Sequence, residues 1–509
     1  MSRTNLQNPG RPGFQGSETS SAEVVIYHRE DDPVLFKSIG RTQATGRFIT
    51  DEQSCLTAVT TTKGVGGEPG TFSFNLFEGG GDKLLDRIVD DDWVDITFKR
   101  HGRQWHTMRG IVDEIREASS VGSRGATTVI YTVTGRDITK IWKLTPIWFN
   151  RFTLENVAGG VAYQVLSADN IGGYSVEETV QRFLREWLEP LGDYGRANWL
   201  IPKTVPNFGG QSFLSAMAPF VNPNVNDPRR LSLSTNFMAP QGTAWDLAKE
   251  WSDPLFTELF ADTYLDDAAL GSELISQNSS RLISEGYGPA DTKMGYILRG
   301  KPFVEAPLGL DSPWFDLPLH TVAKQDVDRK DVGRGGHERY NAFFVGPQTT
   351  QEAVATGIMD LATPLWDEED ILIHGLRRFD VESRYEAPDG SSTALTLAPF
   401  LRQKLRDWYA INPYLFNGTI TLGVGRPDIR AGTRVLIPGA TRFLDEMYYV
   451  EEVTNAWTMG VGLRTNMLVT RGWRGTMTDY VQTVRDLADK YRTPLFATPH
   501  QAVATVGFA

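Results

Sequence analysis

Short runs of alternating apolar and polar residues, separated by turns that contain glycine, most constrain the fold of this chain of 509 residues. Along residues 71–76, threonine, serine or asparagine alternates with phenylalanine or leucine, and Val94, Ile96 and Phe98 repeat the same period of two. Residues 100–103, Arg-His-Gly-Arg, then favour a hairpin turn. Short strands at this spacing predict a small β-barrel or sandwich.

One strand pattern occurs twice, far apart in the chain. In each copy a strand and turn precede a strand with an acidic pair, and an apolar strand ending on Thr, Gly and Arg follows. Three pairs of segments correspond: 94–104 with 433–443, 110–120 with 448–458, and 128–137 with 465–473. Generic β-hairpins also produce such a likeness by chance, so the pattern alone leaves a true duplication and a coincidence both open.

These patterns predict a mainly β protein with α+β insertions, built from two similar small β-barrel domains and a mixed middle region. The predicted limits are a flexible N-terminal arm 1–21, a first β-barrel 22–145, a mixed α/β middle domain 146–325, a second β-barrel 326–475 with a helical insertion 350–412, and a C-terminal helix and tail 476–509.

Helical spacing of apolar residues predicts four helices outside the barrels. They fall at 175–188 after a capping box, at 243–251 before Asp253-Pro254, at 399–409 with Pro399 near the first turn, and at 480–491. The stretch 202–240 is rich in Pro, Asn, Gly and Ser and is predicted to be an extended loop that docks on another surface.

Composition narrows the possible partners. The chain carries 63 acidic and 51 basic residues, a net charge of −12, which argues against a coat held on nucleic acid by phosphate contacts. It would suit a channel that must not bind DNA. A single cysteine, Cys55, excludes an intramolecular disulfide and is predicted to be a small buried hydrophobe. Without an apolar run of about 20 residues or a signal core, we expect a protein folded in a cytoplasm.

Catalytic patterns are weak. Residues 295–301 resemble a phosphate loop, but Pro302 stands where a Ser or Thr would bind Mg²⁺. His101 and His106 lie near one hairpin and could meet a metal ion, although a surface or packing role is favoured. We therefore assign no catalytic, cofactor-binding or metal residue and expect no cofactor.

Two clusters of acidic residues could bind Ca²⁺. They are Asp90-Asp91-Asp92 and the group Asp367, Glu368, Glu369 and Asp370. Both lack the glycine and the final glutamate of an EF-hand loop, so solvated turns are the favoured interpretation.

Three sets of segments, in order, resemble the central baseplate hub proteins of contractile phage tails and related injection machines. The first set is DWVDITFKRHGRQWHTMRGIVDEI at 92–115 followed by YTVTGRDITKIW at 131–142. The second is ILRGKPF at 297–303, a later WFDLPL, and ERYNAFFV at 338–345. The third is GRPDIRAGTRVLIPG at 425–439, YYVEEVTNAW at 448–457 and MLVTRGW at 467–473. The order covers most of residues 70–475, whereas 146–296 and the residues after 475 match no hub segment.

The resemblance implies a non-enzymatic structural virion protein of the tail baseplate. Hubs of this family are homotrimers in which each subunit carries two similar barrels, so that six barrels form a ring. That ring would join a six-fold tail tube, or a tube-initiator protein, to a three-fold central spike, alongside other baseplate proteins. DNA would pass through the channel without specific binding.

Two alternatives remain open from the sequence. The first is a hub with an embedded cell-wall hydrolase, located in the unmatched region 146–325. The second is a receptor- or carbohydrate-binding tail protein, which would expose aromatic side chains on one face. Trp187, Trp199 and Trp245 are candidates for that face and equally for the core.

We expect three segments without a core pattern to order on partners: the arm 1–21, the loop 202–240 and the tail 492–509. Deletion of residues 1–21 should leave the barrels folded and weaken assembly into a baseplate, measured by circular dichroism and by co-sedimentation with partner proteins. Unchanged assembly of the truncated protein would count against a binding role for the arm.

Overall fold

A computed structural model describes most of the β-rich part of the chain. The described residues are 20–29, 32–38, 40–41, 48–49, 55–78, 88–121, 127–147, 180, 200–207, 209–211, 213, 219–221, 242–265, 289, 292–302, 313–346, 364–382, 393–441 and 444–491.

Strands and helices are numbered in chain order among these residues. The strands are β1 Ser20–Tyr27, β2 Val34–Lys37, β3 Gly40–Arg41, β4 Phe48–Ile49, β5 Leu56–Gly64, β6 Thr71–Glu78, β7 Trp93–Arg100, β8 Arg103–Val121, β9 Thr127–Asp137, β10 Pro146–Ile147, β11 Pro219–Val221, β12 Gly242–Thr243, β13 Thr257–Leu265, β14 Thr292–Gly300, β15 Leu319–Thr321, β16 Val327–Gly333, β17 Ala342–Gly346, β18 Leu365–Trp366, β19 Arg378–Glu382, β20 Phe416–Leu422, β21 Arg434–Thr441, β22 Leu444–Thr458 and β23 Gly462–Arg474. The α-helices are α1 Thr139–Lys143, α2 Ala244–Trp251, α3 Pro313–Asp316, α4 Glu368–His374, α5 Thr393–Tyr409 and α6 Met477–Lys490.

One large sheet dominates the described residues. It has 13 strands in the order β16-β20-β23-β22-β5-β6-β9-β8-β7-β1-β2, with β21 on β22 and β15 on β21. The sheet curls into an antiparallel half-barrel, and the helices are small. The prediction of a mainly β fold with α+β insertions is confirmed.

The predicted local patterns form where the sequence placed them. In β6 the side chains of Phe72, Phe74 and Leu76 are buried, as the period of two requires. The predicted hairpin turn joins β7 to β8 through His101 (φ 49°) and Gly102 (φ 76°). Two consecutive positive φ angles define a type I′ turn, whose twist matches that of the strands it joins.

Each half of the large sheet covers its own hydrophobic core. The N-terminal half buries residues such as Phe74 and Ile96, and the C-terminal half buries residues such as Ile420 and Val450. Trp457 and Leu463 belong by sequence to the C-terminal half but pack in the N-terminal core. The two cores are therefore linked by side chains that cross between the halves. Cys55 lies in the N-terminal core, buried as predicted.

The helix predictions have mixed outcomes. Helix α2 begins after Thr243, whose side chain accepts from the Asp246 N–H, and it ends before Asp253, as predicted. Helix α6 forms with a capping box at Thr476. The prediction of Pro399 near a first turn is wrong, because α5 begins at Thr393. The predicted helix 175–188 lies outside the described residues, apart from Val180.

Three further expectations need correction. Residues Ala342–Gly346, which fall within the predicted second barrel 326–475, form β17, but this strand pairs with β18 and β19 in a separate sheet of three strands. The insertion 350–412 is consequently mixed, because it contributes β18 and β19 as well as α4 and α5. Within 202–240, predicted as an extended loop, residues 219–221 form β11, which pairs parallel to β14.

The N-terminal arm gives way to regular structure at Ser20, before its predicted end. The backbone carbonyl of Ser20 accepts from Trp457 Nε1 at 3.2 Å, and its side chain accepts from the Leu463 N–H at 3.2 Å. The arm 1–21 therefore includes two residues of β1, and a truncation that removes only residues 1–19 leaves this strand intact. Residues 1–19 lie outside the described residues, as does the tail 492–509.

A buried ionic cluster fastens the N-terminal half to the middle of the chain. Asp95 accepts from Arg109 Nε at 2.7 Å and Nη2 at 2.8 Å, and from the Tyr27 hydroxyl at 2.9 Å. His106 contacts Asp95 Oδ1 at 3.0 Å and the Thr292 hydroxyl of β14 at 2.6 Å. Burial alone would raise the pKa of Asp95, but the charges and hydrogen bonds of Arg109 and His106 hold it well below its usual range.

Substitution of Asp95 by asparagine should destabilise the protein by about 3–5 kcal/mol, because the buried Arg109 guanidinium would lose its counter-charge. The measurement is the free energy of unfolding in urea, followed by tryptophan fluorescence. Asp380→Asn is the matched control, since Asp380 pairs with Arg378 at 3.1 Å on the surface and both are about half exposed. Equal effects of the two substitutions would contradict a structural role for the cluster.

Candidate functional site

The structure separates the histidines that the sequence placed together. His101 is exposed in the β7–β8 turn, whereas His106 is fully buried in the cluster around Asp95. Burial lowers the pKa of His106, and Asp95 only partly offsets this. Within the described ranges no group of three or more His, Cys, Asp or Glu residues could hold a metal ion.

The acidic clusters have local structural roles. Asp92 accepts from the Val89 N–H at 2.8 Å and pairs with His28, while Asp91 pairs with Lys140 in a turn. Asp367 caps α4 by accepting from the Asp370 N–H at 3.1 Å. Glu368 and Glu369 then occupy the first turn of α4, where the helix dipole favours negative charge.

The two halves of the large sheet repeat one order of strands. In the first copy the order is β5-β6-β9-β8-β7-β1, and in the second copy it is β16-β20-β23-β22-β21-β15. Corresponding strands also follow one another in the same order along the chain. The copies differ at one end, where β1 pairs antiparallel to β7 but β15 pairs parallel to β21.

A β-bulge occurs at the same position in both copies. Strand β8 carries one extra residue, Asp113, opposite β9, and β22 carries one extra residue, Glu451, opposite β23. The alignment of GIVDEI with YYVEEV places these two residues at the same position. Because a bulge shifts every later pair by one residue, its recurrence at this position favours duplication over coincidence.

A second bulge recurs independently. When the two copies are aligned on the first bulge, the strand pairing makes Leu76 of β6 equivalent to Leu422 of β20. Leu76 pairs with a residue of β5 and Leu422 pairs with a residue of β16. The residue directly after each of these partners is an extra one, Thr57 in β5 and Asp328 in β16. The register also becomes irregular just after the equivalent residues Ile96 and Ile437.

The same alignment corrects two sequence matches. Ile96 corresponds to Ile437 rather than to Val435, so segments 94–104 and 433–443 are offset by two residues. The VT pairs of segments 128–137 and 465–473 are not equivalent in the structure. Val133 pairs with Ile115, and the residue equivalent to Ile115 in the second copy is Val453. Val453 pairs with Met467, so the equivalent of Val133 is Met467, which lies two residues before Val469.

An aromatic ring packs over glycine in each copy, with the roles exchanged between strands. In the first copy, Phe72 of β6 lies against Gly110 and Gly135, where an added Cβ would come within 2.7 and 2.3 Å of the ring. In the second copy, Tyr448 occupies the position of Gly110 and packs on Gly472, where an added Cβ would come within 2.3 Å. Ring and glycine compensate for each other in volume across neighbouring strands.

The two copies are joined directly by strand pairing. Residues 452–458 of β22 pair antiparallel with residues 58–64 of β5. Val59 and Trp457 face each other in this ladder and are buried. On the opposite face, the hydroxyls of Thr62 and Thr454 lie 3.0 Å apart. We call this ladder the intrachain junction.

One face of the joined sheet presents hydroxyl and amide groups in rows that cross both copies. The clearest row follows the cross-strand partners Thr71, Thr62, Thr454, Asn466 and Thr421. Within it Thr421 donates to Asn466 Oδ1 at 2.9 Å. We call this the polar face. The sequence signal for it was the run of threonines in β5, which the strand analysis left without a role.

Charge is balanced rather than acidic on the polar face. Glu114, Asp331 and Glu452 are acidic residues of the described rows, and Arg116, Arg136, Arg329 and Arg464 accompany them. The excess of acidic residues in the whole chain is therefore not concentrated on this surface.

A cleft of about 810 Å³ lies where the second copy meets β13 and α5. Lys301, Glu451 and Arg471 contribute charge to its wall, and Arg471 lies over the Trp408 ring at 3.7 Å. Burial lowers the pKa of Lys301 and, with help from Glu258, raises the pKa of Glu451. Trp245, a candidate for an exposed aromatic face, is instead fully buried.

No helix in the described part of the chain is long and apolar enough to span a membrane. Neither the protein-family models nor the curated proteins include a match to this sequence.

Several solved structures resemble the chain in shape. A tail protein from Neisseria meningitidis MC58 is 11% identical, with 89% of this chain and 96% of that protein covered and a TM-score of 0.47. The 43 kDa tail protein of prophage MuSo2 from Shewanella oneidensis is 12% identical over 89% and 98%, with a TM-score of 0.44. A half-lidded Francisella PdpA-VgrG complex is 8% identical over 89% and 58%, with a TM-score of 0.40. These likenesses are distant, because all three TM-scores lie below 0.5 and all three identities at or below 12%.

Substitution of Gly135 or of Gly472 by alanine should destabilise the protein by about 1–3 kcal/mol, because the new methyl group would overlap Phe72 or Tyr448. Thermal unfolding followed by circular dichroism measures the effect. Gly66→Ala is the control, since an added Cβ there meets no atom within 4 Å. Wild-type stability of both variants would contradict the described ring packing.

Proposed function

We propose that this protein is the central baseplate hub of a phage tail, a structural component of the virion. The observation that carries the proposal is the repetition of one strand order, with two bulges at equivalent positions, in a single joined sheet. A duplicated β unit of this kind supplies two equivalent binding surfaces in one chain. The predicted domain limits, with barrels at 22–145 and 326–475, form part of this proposal.

Symmetry gives the duplication its purpose. A homotrimer of this chain contains six copies of the β unit, because each subunit contributes two. Six copies in a ring match a six-fold tail tube or tube-initiator protein on one side, while the three subunits match a three-fold spike on the other. The hub would thus connect two assemblies of different symmetry, in contact with other baseplate proteins.

The polar face is the surface that we assign to the channel. Threonine and asparagine side chains there offer hydrogen bonds to water without a concentration of Lys or Arg that would hold phosphates. Balanced charge serves the same end, since neither strong attraction nor strong repulsion acts on passing DNA. DNA would pass along this surface without specific binding.

We infer a non-enzymatic role and assign no catalytic residue. The buried ionic cluster around Asp95 is sealed from solvent and links strands of the sheet to β14, so its groups act in packing. The cleft beside the second copy is bounded by the Glu451 bulge, which belongs to the repeated framework. The protein would be assembled in the host cytoplasm and function in the tail baseplate of the virion.

Light scattering on a sizing column tests the trimer. The expected mass is three times the 56.7 kDa of the chain for the protein alone, or that mass plus the bound spike after addition of the spike protein. A monomer both alone and with spike and tube proteins would overturn the hub proposal.

A cell-wall zymogram tests the non-enzymatic role separately. The purified protein should leave the gel uncleared, with a lysozyme lane as the positive control. Clearing by the protein would support the embedded hydrolase instead, and Glu451→Gln would then show whether the cleft is responsible.

A further inference from the structure

Strand β8 has an edge that no described strand covers. Its C-terminal part, residues 114–120, pairs with β9 on one side. On the other side β7 ends its pairing at Ile111, so the backbone beyond the Asp113 bulge has no partner strand among the described residues. The side chains of residues 116–119 are exposed, so the edge faces solvent.

Strand β16 has a second such edge. It pairs with β20 on one side, and within the described ranges no strand pairs with its other side. Arg329, Asp331 and Gly333 are exposed along it, and the chain stays exposed through Arg334 and Gly335. An uncovered strand edge offers a row of backbone donors and acceptors to another strand.

The equivalent edges are already paired inside the chain. By the alignment of the two copies, residues 114–120 of β8 correspond to 452–458 of β22, and residues 329–335 correspond to 58–64 of β5. Those counterparts form the intrachain junction. The chain therefore contains one complete junction, in which a strand of the second copy pairs with a strand of the first copy. The two uncovered edges, on β8 of the first copy and on β16 of the second copy, are suited to form the same kind of junction with each other.

We propose that residues 114–120 of one subunit pair antiparallel with residues 329–335 of a second copy of this chain, and that this contact closes the ring. The inference rests on the proposed trimeric hub and specifies its subunit interface. Three intrachain junctions then alternate with three such intersubunit junctions, and the joined sheet continues around the ring.

The register of the intrachain junction predicts the facing residues. Transferred to the two edges, it sets Glu117 opposite Val332, as Asn455 lies opposite Thr61. Arg334 and Lys330 then lie diagonally to either side of Glu117. Diagonal cross-strand neighbours are within reach of long side chains, so the carboxylate would meet the exposed Arg334, while Lys330 stays paired with Glu446.

Charge complementarity extends to the other face. The same register sets Arg116 opposite Gly333, with Asp331 as its diagonal neighbour. Within one chain, Arg116 already contacts Glu114 at 2.7 Å along the β8 edge, whereas Lys330 contacts the buried Glu446 of β22 at 2.6 Å. A junction rich in charge, unlike the buried intrachain junction, suits edges that stay in solvent until assembly.

Disulfide trapping tests the register. In a Cys55→Ala background, which removes the single native thiol, Glu117→Cys and Val332→Cys are combined in one chain. Mild oxidation should give covalent dimers and trimers on a non-reducing gel, because facing residues of a ladder lie within disulfide reach. The matched control combines Ala118→Cys with Val332→Cys, which places one thiol on the opposite face and should give no ladder.

A thiol-free variant gives an independent measure. Glu117→Lys should lower the trimer fraction at a given protein concentration about tenfold, because it replaces the attraction to Arg334 by a repulsion between like charges. Glu368→Lys, at an exposed position on α4, should leave the fraction unchanged.

The outcomes separate the two proposals. A trimer that forms no disulfide ladder and tolerates Glu117→Lys would overturn this interface and leave the hub proposal standing. A protein that stays monomeric with spike and tube proteins present would overturn both. A ladder from the Ala118 control equal to that from Glu117 would overturn the predicted register.

Discussion

The antiparallel ladder between β22 and β5 is the contact on which the architecture depends. It joins the two copies into one sheet and satisfies the backbone groups of two strand edges. It also carries Trp457 from the second copy into the core of the first. Without this ladder each copy would keep an open edge, and the polar face would be interrupted between Thr62 and Thr454.

The two copies have diverged in side chains while keeping two bulges at equivalent positions, and the second copy has a further irregularity in β23. Gly110 corresponds to Tyr448 and Phe72 to Gly418, yet the bulges at Asp113 and Glu451 coincide. Removal of a bulge would shift all later pairs and turn buried residues toward solvent, so it cannot be lost by single substitutions. Side-chain volume, by contrast, can be exchanged between residues on neighbouring strands, as the positions of the aromatic rings and glycines illustrate.

Features encoded in a few adjacent residues were predictable from the sequence. The turn at His101-Gly102 and the helices α2 and α6 depend on neighbouring residues, and these elements formed as expected. Elements that depend on pairing between strands far apart in the sequence were not predictable from it. Strand β17 has an ordinary strand pattern, but only its pairing with β19 shows that it belongs to another sheet.

The repeated strand arrangement and the polar face were harder to predict, because both depend on how distant segments of the chain pair with one another. The acidic pairs at 113–114 and 451–452 marked the repeat, but the bulges they contain appear only in the pairing register. Likewise the threonines of β5 carry no motif, and they gain meaning from Thr454 and Asn466 across the sheet. The two-residue offset of the VT motif shows how generic strand sequences mislead when aligned without register.

The long separation between the strands of the junction has a consequence for biosynthesis. Thr62 and Thr454 lie 392 residues apart in sequence, so β5 leaves the ribosome long before β22 exists. At synthesis rates of about 5–20 residues per second, the wait is roughly 20–80 s. During that interval the edge of β5 is bare on every nascent chain, and chains translated side by side on one message would meet edge to edge before either was complete.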